Sequence, residues 1–483
     1  MRRVQLSAEL THLALLGIFL LSAARVSPDP DTWWHLNAGK WMVEHGEMLR
    51  VDQFSYTRLG ESYPAPGWPV QILLYLAYLA DDIGGLNLLT GFVFTLAFYF
   101  VSKALSGNEM LKASALILGA AVSSLHASAR PALFTLLFSA IFLWVLEDYR
   151  WARANRLKLL PPLMVAWANS HGLALIGFGM VGLYALGMTR VEKRGTKLTL
   201  ASLPKNLYFL IPFLLLAACI NPYGPALLLY PLQAASVHWE AAQHIQEWQS
   251  PDFHRSFVQP FIWLLLLTLA AVGANRRRLE LTDFLLVASF AYLGLYSARN
   301  VALFGLAAPI ALTRSAAPLA EAWARLSSKR IPSKPLWRRV LVYAILAVLT
   351  LVGMARVVQM LPTEANLVEL EKAGMIAPAS ALEYLRTEKP TGRLFNSYNW
   401  GGYLQWALPE YPLFVDGRAD LFQDEIISQW FQVALVQDGW QEVLDRWNVR
   451  LVFIERTWPA AEALRLTGWQ MVYQDEFSVI FRR

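Results

Sequence analysis

Along the first three quarters of the chain, apolar runs of roughly 15–20 residues alternate with short basic segments, and a bilayer core asks for helices of about this length. The runs predict membrane helices near residues 10–26, 85–104, 110–127, 131–148, 159–168, 171–188, 206–220, 258–274, 281–298, 300–314 and 340–357, about eleven in all. Basic clusters at Arg2/Arg3, Lys103–Lys112, Arg150–Lys158, Arg190–Lys205, Arg276–Arg278 and Arg325–Arg339 mark the loops expected on the cytoplasmic side. Two choices follow. The stretch 68–80 is apolar but short, and laying it in the outer interface keeps Lys103 inside. The stretch 159–188 has basic loops on both sides, so it predicts a hairpin of two short helices with Asn169-Ser170-His171-Gly172 at its outer tip. Short helices at membrane depth need protein or water around their backbone ends, so this hairpin is expected to face a cavity.

Beyond about residue 358 the pattern changes. Charges become dense, and strand-length apolar runs at Arg393–Phe395, Tyr411–Val415, Arg450–Ile454 and Phe477–Phe481 alternate with helical patterns at Ala379–Thr387 and Gln441–Asn448. The expected fold class is a polytopic α-helical membrane protein over residues 1–357, with a long first outer loop at 27–84, followed by a small C-terminal α/β extracytoplasmic domain at 358–483.

Composition sharpens the class. The chain has 483 residues, 56% hydrophobic and 16% charged, where a soluble protein carries about 25% charged residues. The net charge of +6 is spread over separate short loops, so the lipid bilayer is the expected partner and nucleic acid is not. The single cysteine, Cys219, excludes an intrachain disulfide. Arg2 and Arg3 ahead of an apolar run, with Ser22-Ala23-Ala24 after it, resemble a signal peptide, but the many later spans favour an uncleaved first helix. No Walker-type or dinucleotide glycine loop is present, which argues against a nucleotide-driven pump.

Candidate chemistry gathers on the outer side. Asp29-Pro30-Asp31-Thr32-Trp33-Trp34-His35 follows the first span. Two carboxylates at the mouth of a membrane helix are costly unless they bind a charge or move a proton, and Trp33 and Trp34 suit the membrane interface. His126, Arg130, Asn169, His171, Asn221, His238, His244, His254, Arg299 and Asn300 fall at outer helix ends or loops under the same topology. Each has a plainer reading: Asp29 and Asp31 as caps, Arg130-Pro131 as a helix start, His171-Gly172 and Asn221-Pro222-Tyr223-Gly224 as turns. The histidines of the loop around 238–254 fit no standard zinc spacing. In the C-terminal domain, Tyr398-Asn399-Trp400-Gly401-Gly402-Tyr403 is an aromatic and glycine cluster of the kind that lines sugar or peptide surfaces. Val415-Asp416-Gly417-Arg418-Ala419-Asp420 sets two acids and an arginine in a turn, either a site or an internal ion pair.

These segments, with Asp52-Gln53-Phe54-Ser55-Tyr56-Thr57 and Trp167-Ala168-Asn169-Ser170-His171-Gly172, resemble the C-type glycosyltransferase superfamily, near bacterial relatives of the protein mannosyltransferases. Asn399-Trp400-Gly401-Gly402-Tyr403 is also faintly similar to the Trp-Trp-Asp-Tyr-Gly acceptor motif of oligosaccharyltransferases, but the order differs and the acid is missing. The resemblance implies a membrane enzyme of the bacterial inner membrane and cell envelope. Such an enzyme moves a sugar from a polyprenyl-phosphate donor to a glycan, lipid or protein acceptor on the outer face. It implies Asp31 or Asp29 as base or as ligand of Mg²⁺ or Mn²⁺, Arg130, Arg299 and His171 on the donor phosphate, and Trp400, Tyr403, Asp416 and Arg418 at the acceptor. Two other readings stand beside it. One is a non-catalytic scaffold with an outer binding domain. The other is a transporter of lipid-linked substrates, for which polar residues at span ends and the lack of a repeat speak poorly.

Overall fold

The eleven expected membrane segments are largely helical over their described residues in the computed structural model, which describes residues 2–24, 29–63, 67–194, 197–228, 246–275, 279–328, 336–359 and 363–483. The first segments are α1 (Arg2–Ala23), α2 (Asp31–His45), α3 (Trp68–Ala104) and α4 (Glu109–Ser123). They are followed by α5 (Ala132–Arg150), α6 (Leu160–Ser170), α7 (Leu175–Met188) and α8 (Lys205–Ala218). Then come α9 (Gln259–Ala274), α10 (Leu281–Tyr296), α11 (Val301–Ser328) and α12 (Leu336–Gln359). Among the described residues, four helical segments are long and apolar enough to cross a membrane: Trp68–Ala104, Ala132–Arg150, Ser256–Ala274 and Ala298–Ala322. Shorter apolar helices lie at Leu10–Ala23, Gly172–Met188, Lys205–Ala218 and Leu281–Tyr296. Length and composition therefore support a membrane protein, while the count of eleven exceeds what they support segment by segment.

The expected break between residues 80 and 85 is real. Asp81 and Asp82 leave the helical region (φ −161°, ψ 47°; φ 43°, ψ −131°), so α3 is two helices meeting at a sharp corner. The bundle core packs Phe94, Phe98, Phe142, Trp167, Tyr184, Phe261 and Phe304, all fully buried. Trp167 sits on Phe138 and Phe142 (ring centroids 5.8 and 5.2 Å) and donates from Nε1 to Thr135 Oγ1 (2.9 Å). A buried indole without such a partner would be costly. The basic stretch after α7, expected as a plain loop, forms an antiparallel hairpin of β1 (Arg190–Arg194) and β2 (Lys197–Ser202).

The C-terminal domain is α/β as expected. Its sheet runs β3 (Arg393–Asn396), β4 (Val449–Glu455), β6 (Ser478–Arg482), β5 (Gln470–Gln474) in spatial order. The β3–β4 pair is parallel and the other two pairs are antiparallel. Helices α13 (Thr363–Lys372), α14 (Ala379–Glu388), α15 (Gly401–Ala407), α16 (Ala419–Ala434), α17 (Trp440–Arg446) and α18 (Pro459–Leu466) accompany it. The apolar run Tyr411–Val415 is not a ladder strand, and β5 carries that place in the count instead. Leu413 makes a single bridge to Ser55. The run is apolar because Leu413, Phe414 and Val415 are fully buried. The Asn396 amide replaces the missing ladder: its Oδ1 accepts from Phe414 N (2.9 Å) and its Nδ2 donates to Val415 O (2.8 Å).

The first loop is built into this domain. Tyr56 N donates to Leu413 O (3.0 Å), Leu413 N to Phe54 O (3.1 Å) and Thr57 Oγ1 to Phe414 O (2.7 Å). Trp33 and Trp34 accordingly do not rest at a lipid interface. They are 4% and 8% exposed, with Trp33 against Tyr403 and Trp406 (4.7 and 6.4 Å) and Trp34 against Tyr63 (6.4 Å).

Candidate active site

At one end of the bundle, the start of α2, the turn before α5, the α6–α7 hairpin, the segment before α9 and the α10–α11 turn surround a cavity of about 1090 Å³. The C-terminal domain closes its far side. Asp29, Asp31, Arg130, His171, Arg299 and Asn300, expected from sequence to share one site, all line it.

Arg130 organises the acids. Its Nε lies 3.0 Å from Asp29 Oδ2, its Nη1 3.4 Å from Asp31 Oδ2 and its Nη2 3.3 Å from Glu247 Oε2. Asp31 opens α2, its backbone N–H donating to Asp29 Oδ1 (3.0 Å) while its own Oδ1 accepts from Trp34 Nε1 (3.0 Å). One guanidinium thus faces three carboxylates. Burial first, then the charge of Asp29, pushes the Asp31 carboxyl up to about 8, and Arg130 only partly offsets this. Glu247 goes the other way, down to about 2: burial opposes its charge, but Arg130 and Arg299 outweigh it. A carboxyl titrating near the working pH is suited to proton abstraction.

Glu247 was not foreseen. It lies in a polar loop with no periodic pattern, and its position is set by contacts distant in sequence. Ser297 Oγ donates to Glu247 O (2.9 Å) and Ala298 N to Gln249 O (2.8 Å), stapling that loop to the turn that carries Arg299. Arg299 lies over the Trp248 ring (5.1 Å) and makes no salt bridge among the described residues. Its charge therefore remains available to the cavity.

His126 and His171 line the cavity. His171 Nδ1 shares a hydrogen bond with Thr135 Oγ1 (2.8 Å), leaving Nε2 for the cavity. His171 can thus exchange hydrogen bonds with a phosphate. Asn169 and Asn221 hold the backbone: Asn169 Nδ2 donates to Val165 O and Ile220 O (both 2.8 Å), and Asn221 closes its own turn. His254 is exposed beside Asp252 (3.3 Å). His238 and His244 lie outside the described residues.

The four residues expected at the acceptor are placed behind the cavity wall instead. Trp400 is 1% exposed, packed on Phe453 (5.2 Å), and Tyr403 packs on Trp33. Arg418 is gripped by Asp416 (Nη2–Oδ2 2.7 Å, Nε–Oδ1 2.9 Å) and by Asp52 of the first loop (Nη1–Oδ1 2.7 Å), all three buried. Asp52 also accepts from Ser55 N and Oγ (3.0 and 2.6 Å). A buried ionic cluster of this kind locks elements together, and here Arg418 with Asp416 and Asp52 locks the first loop to the C-terminal domain. The flanking glycines complete the fit. A Cβ on Gly417 would strike Asp31 Oδ1. One on Gly402 would come within 2.9 Å of Pro30 O and 3.2 Å of Trp34 N. The wall residues facing the cavity are their neighbours Tyr398, Asn399 and Asp420.

Asp29 and Asp31 as ligands of Mg²⁺ or Mn²⁺ face a competitor, because Arg130 already engages both carboxylates together with Glu247. The described residues hold no group of three or more His, Cys, Asp or Glu side chains disposed for a metal. As arranged, these side chains do not fit a resident divalent cation.

No family model matches the chain, and no curated protein matches it. Solved structures do. The archaeal oligosaccharyltransferase AglB from Archaeoglobus fulgidus, in complex with an inhibitory peptide and a dolichol-phosphate, superposes with a TM-score of 0.59 at 12% identity, covering 92% of this chain and 69% of that one. ArnT from Cupriavidus metallidurans, bound to undecaprenyl phosphate, superposes with a TM-score of 0.50 at 14% identity, covering 98% and 97%. The chain has the fold of the C-type membrane glycosyltransferases, as the motifs led one to expect.

Proposed function

We propose that the protein is an integral-membrane glycosyltransferase that moves a sugar from a polyprenyl-phosphate carrier to an acceptor hydroxyl, on the outer face of the cytoplasmic membrane. The observation that carries this reading is the pairing, in one cavity, of an acid poised near neutral pH (Asp31) with an arginine that makes no salt bridge among the described residues (Arg299). The choice of donor class is supported by the dolichol-phosphate bound in the AglB structure and the undecaprenyl phosphate bound in the ArnT structure.

In the reaction the acceptor oxygen attacks the anomeric carbon, and the bond from that carbon to the phosphate oxygen breaks. Asp31 takes the hydroxyl proton, and the polyprenyl phosphate leaves as an anion. Arg299 stabilises the departing phosphate as its charge grows, with His171 Nε2 as a hydrogen-bonding partner. Arg130 holds Asp29, Asp31 and Glu247 in place rather than serving the phosphate first. No step is assigned to a metal ion.

The test is transfer of radiolabelled sugar from a panel of polyprenyl-phosphate donors by the full chain in nanodiscs. Consumption of one donor, unaffected by EDTA and lost in Asp31→Asn with an unchanged melting temperature, is the expected result. No consumption of any donor would move the reading to a scaffold that kept the fold. Consumption abolished by EDTA would overturn the role given to Arg130.

A further inference from the structure

His35 lines the same cavity one helical turn after Asp31 on α2, and so far it has no task there. Residues four apart on a helix share a face, with Cβ atoms about 5–6 Å apart. The carboxyl of Asp31 and the imidazole of His35 therefore look out on the same side of α2.

The way the ring is held decides what it can offer. His35 Nδ1 lies 3.0 Å from Gln71 Nε2. An amide nitrogen can only donate, so Nδ1 accepts and the ring is neutral with its proton on Nε2. Burial, followed by the charge of Arg130, acts in the same direction and holds the ring well below the usual histidine range. Gln71 is fully buried on α3. It reaches His35 because the two helices meet at a glycine: a Cβ on Gly39, one turn beyond His35, would strike Gln71 O. Glycine inside a helix costs stability, and here it permits the close approach that fixes the histidine. The imidazole also rests against the Trp34 ring (ring centroids 3.4 Å), and the same indole donates from Nε1 to Asp31 Oδ1 (3.0 Å). Asp31 and His35 are thus preset together. Nε2 has no hydrogen-bond partner among the described residues.

A carboxyl that takes a proton and a neutral N–H that donates, one turn apart, match the two sides of a hydroxyl group. A phosphate would be repelled beside Asp29 and Asp31, and Arg299 across the cavity suits it better. We propose that His35 Nε2–H holds the oxygen of the acceptor hydroxyl whose proton Asp31 removes, with Gln71 as the positioning residue that fixes the ring. That oxygen has two lone pairs. One accepts from Nε2–H, and the other is left to attack the anomeric carbon while O–H donates to Asp31. His35 neither gains nor loses a proton in the step. This inference rests on the transferase reading.

The test is donor consumption by the full chain in nanodiscs, comparing wild type, His35→Asn, His35→Gln and Gln71→Met. An asparagine amide reaches about as far as Nδ1, and a glutamine amide about as far as Nε2. His35→Asn therefore keeps the bond to Gln71 and loses the one to the hydroxyl, and His35→Gln does the converse. The expected result is kcat down by about tenfold in His35→Asn, the scale of one hydrogen bond, and within about threefold of wild type in His35→Gln. Gln71→Met should fall between them, with KM for the donor and the pH midpoint set by Asp31 unchanged throughout. A histidine that only fastens α2 to α3 would give the reverse order, and any order but the expected one among folded variants overturns the proposal. Melting curves identify variants that fail to fold. Nitrogen-15 NMR of histidine-labelled wild type, with His35 assigned by its loss in His35→Asn, reads the tautomer without turnover. A proton on Nδ1 there also overturns the proposal. A wild type that consumes no donor removes the transferase reading and this inference with it, whereas an active wild type with another order removes this inference alone.

Discussion

The two ends of the helix bundle hold the same kinds of side chain in different arrangements. At the end away from the cavity, Arg150 donates to Glu147 (3.2 Å), Asp283 (2.7 Å) and Glu280 (2.6 Å), and Arg314 pairs with Glu147 and Asp283. The Tyr184 hydroxyl also donates to Glu147 (2.7 Å). Two arginines serve two buried acids and one exposed one, and the cluster ties α5, α7, α10 and α11 together. At the cavity end, among the described residues, one arginine makes the direct salt bridges to three acids, Arg299 acts on Glu247 only at longer range, and the cluster is open on one side. Near-balance closes a cluster and makes it structural. Excess acid beside a cavity leaves one carboxyl holding a proton it can exchange, which is the condition for acid–base chemistry.

Substitutions sharpen the contrast. Asp31→Asn is expected to slow transfer by about 10²–10⁴-fold, the usual contribution of a general base, with the melting temperature little changed. Arg314→Met is expected to do the reverse. It leaves Glu147 and Asp283 with Arg150 as the arginine they share and costs about 1–3 kcal/mol of stability, visible as a drop in melting temperature, while donor affinity per folded molecule holds. Gly417→Ala breaks the separation between regions, because the new methyl displaces the Asp31 carboxylate. A fall in kcat of roughly tenfold to a hundredfold with a modest change in melting is expected there, in line with small misplacements of a catalytic group. Arg299→Gln, measured as KM for the donor, should raise it by about tenfold, the scale of one charged hydrogen bond.

Much of this was legible in the chain, for particular reasons. The helices announce themselves because lipid-length apolar runs have few other uses. Asp29, Asp31, Arg130, His171 and Arg299 stand out because one topology puts them all at outer helix ends or outer loops. Glu247 did not stand out, because in a polar loop one acid resembles any other until the loop is pinned to Ser297 and Ala298. Asp416 and Arg418 were recognised as a notable pair but placed at the acceptor, because a turn sequence does not say which side faces inward. Their partner is Asp52, more than 360 residues away, and contacts over that separation leave no local pattern. The glycines at 402 and 417 carry meaning only once α2 lies against them.

The most direct measurement of the central claim is the transfer rate against pH for wild type, Asp31→Asn and Asp29→Asn. The base works deprotonated. With Asp31 near 8, the wild-type rate should therefore climb through neutral pH and level off above about 8, with roughly a tenth of the plateau rate at pH 7. Asp29→Asn removes the like charge that helps hold the Asp31 carboxyl up, so its midpoint should move to lower pH. Asp31→Asn should be slow at every pH. A wild-type rate flat from pH 6 to 9, or an Asp31→Asn rate close to wild type, would contradict the account.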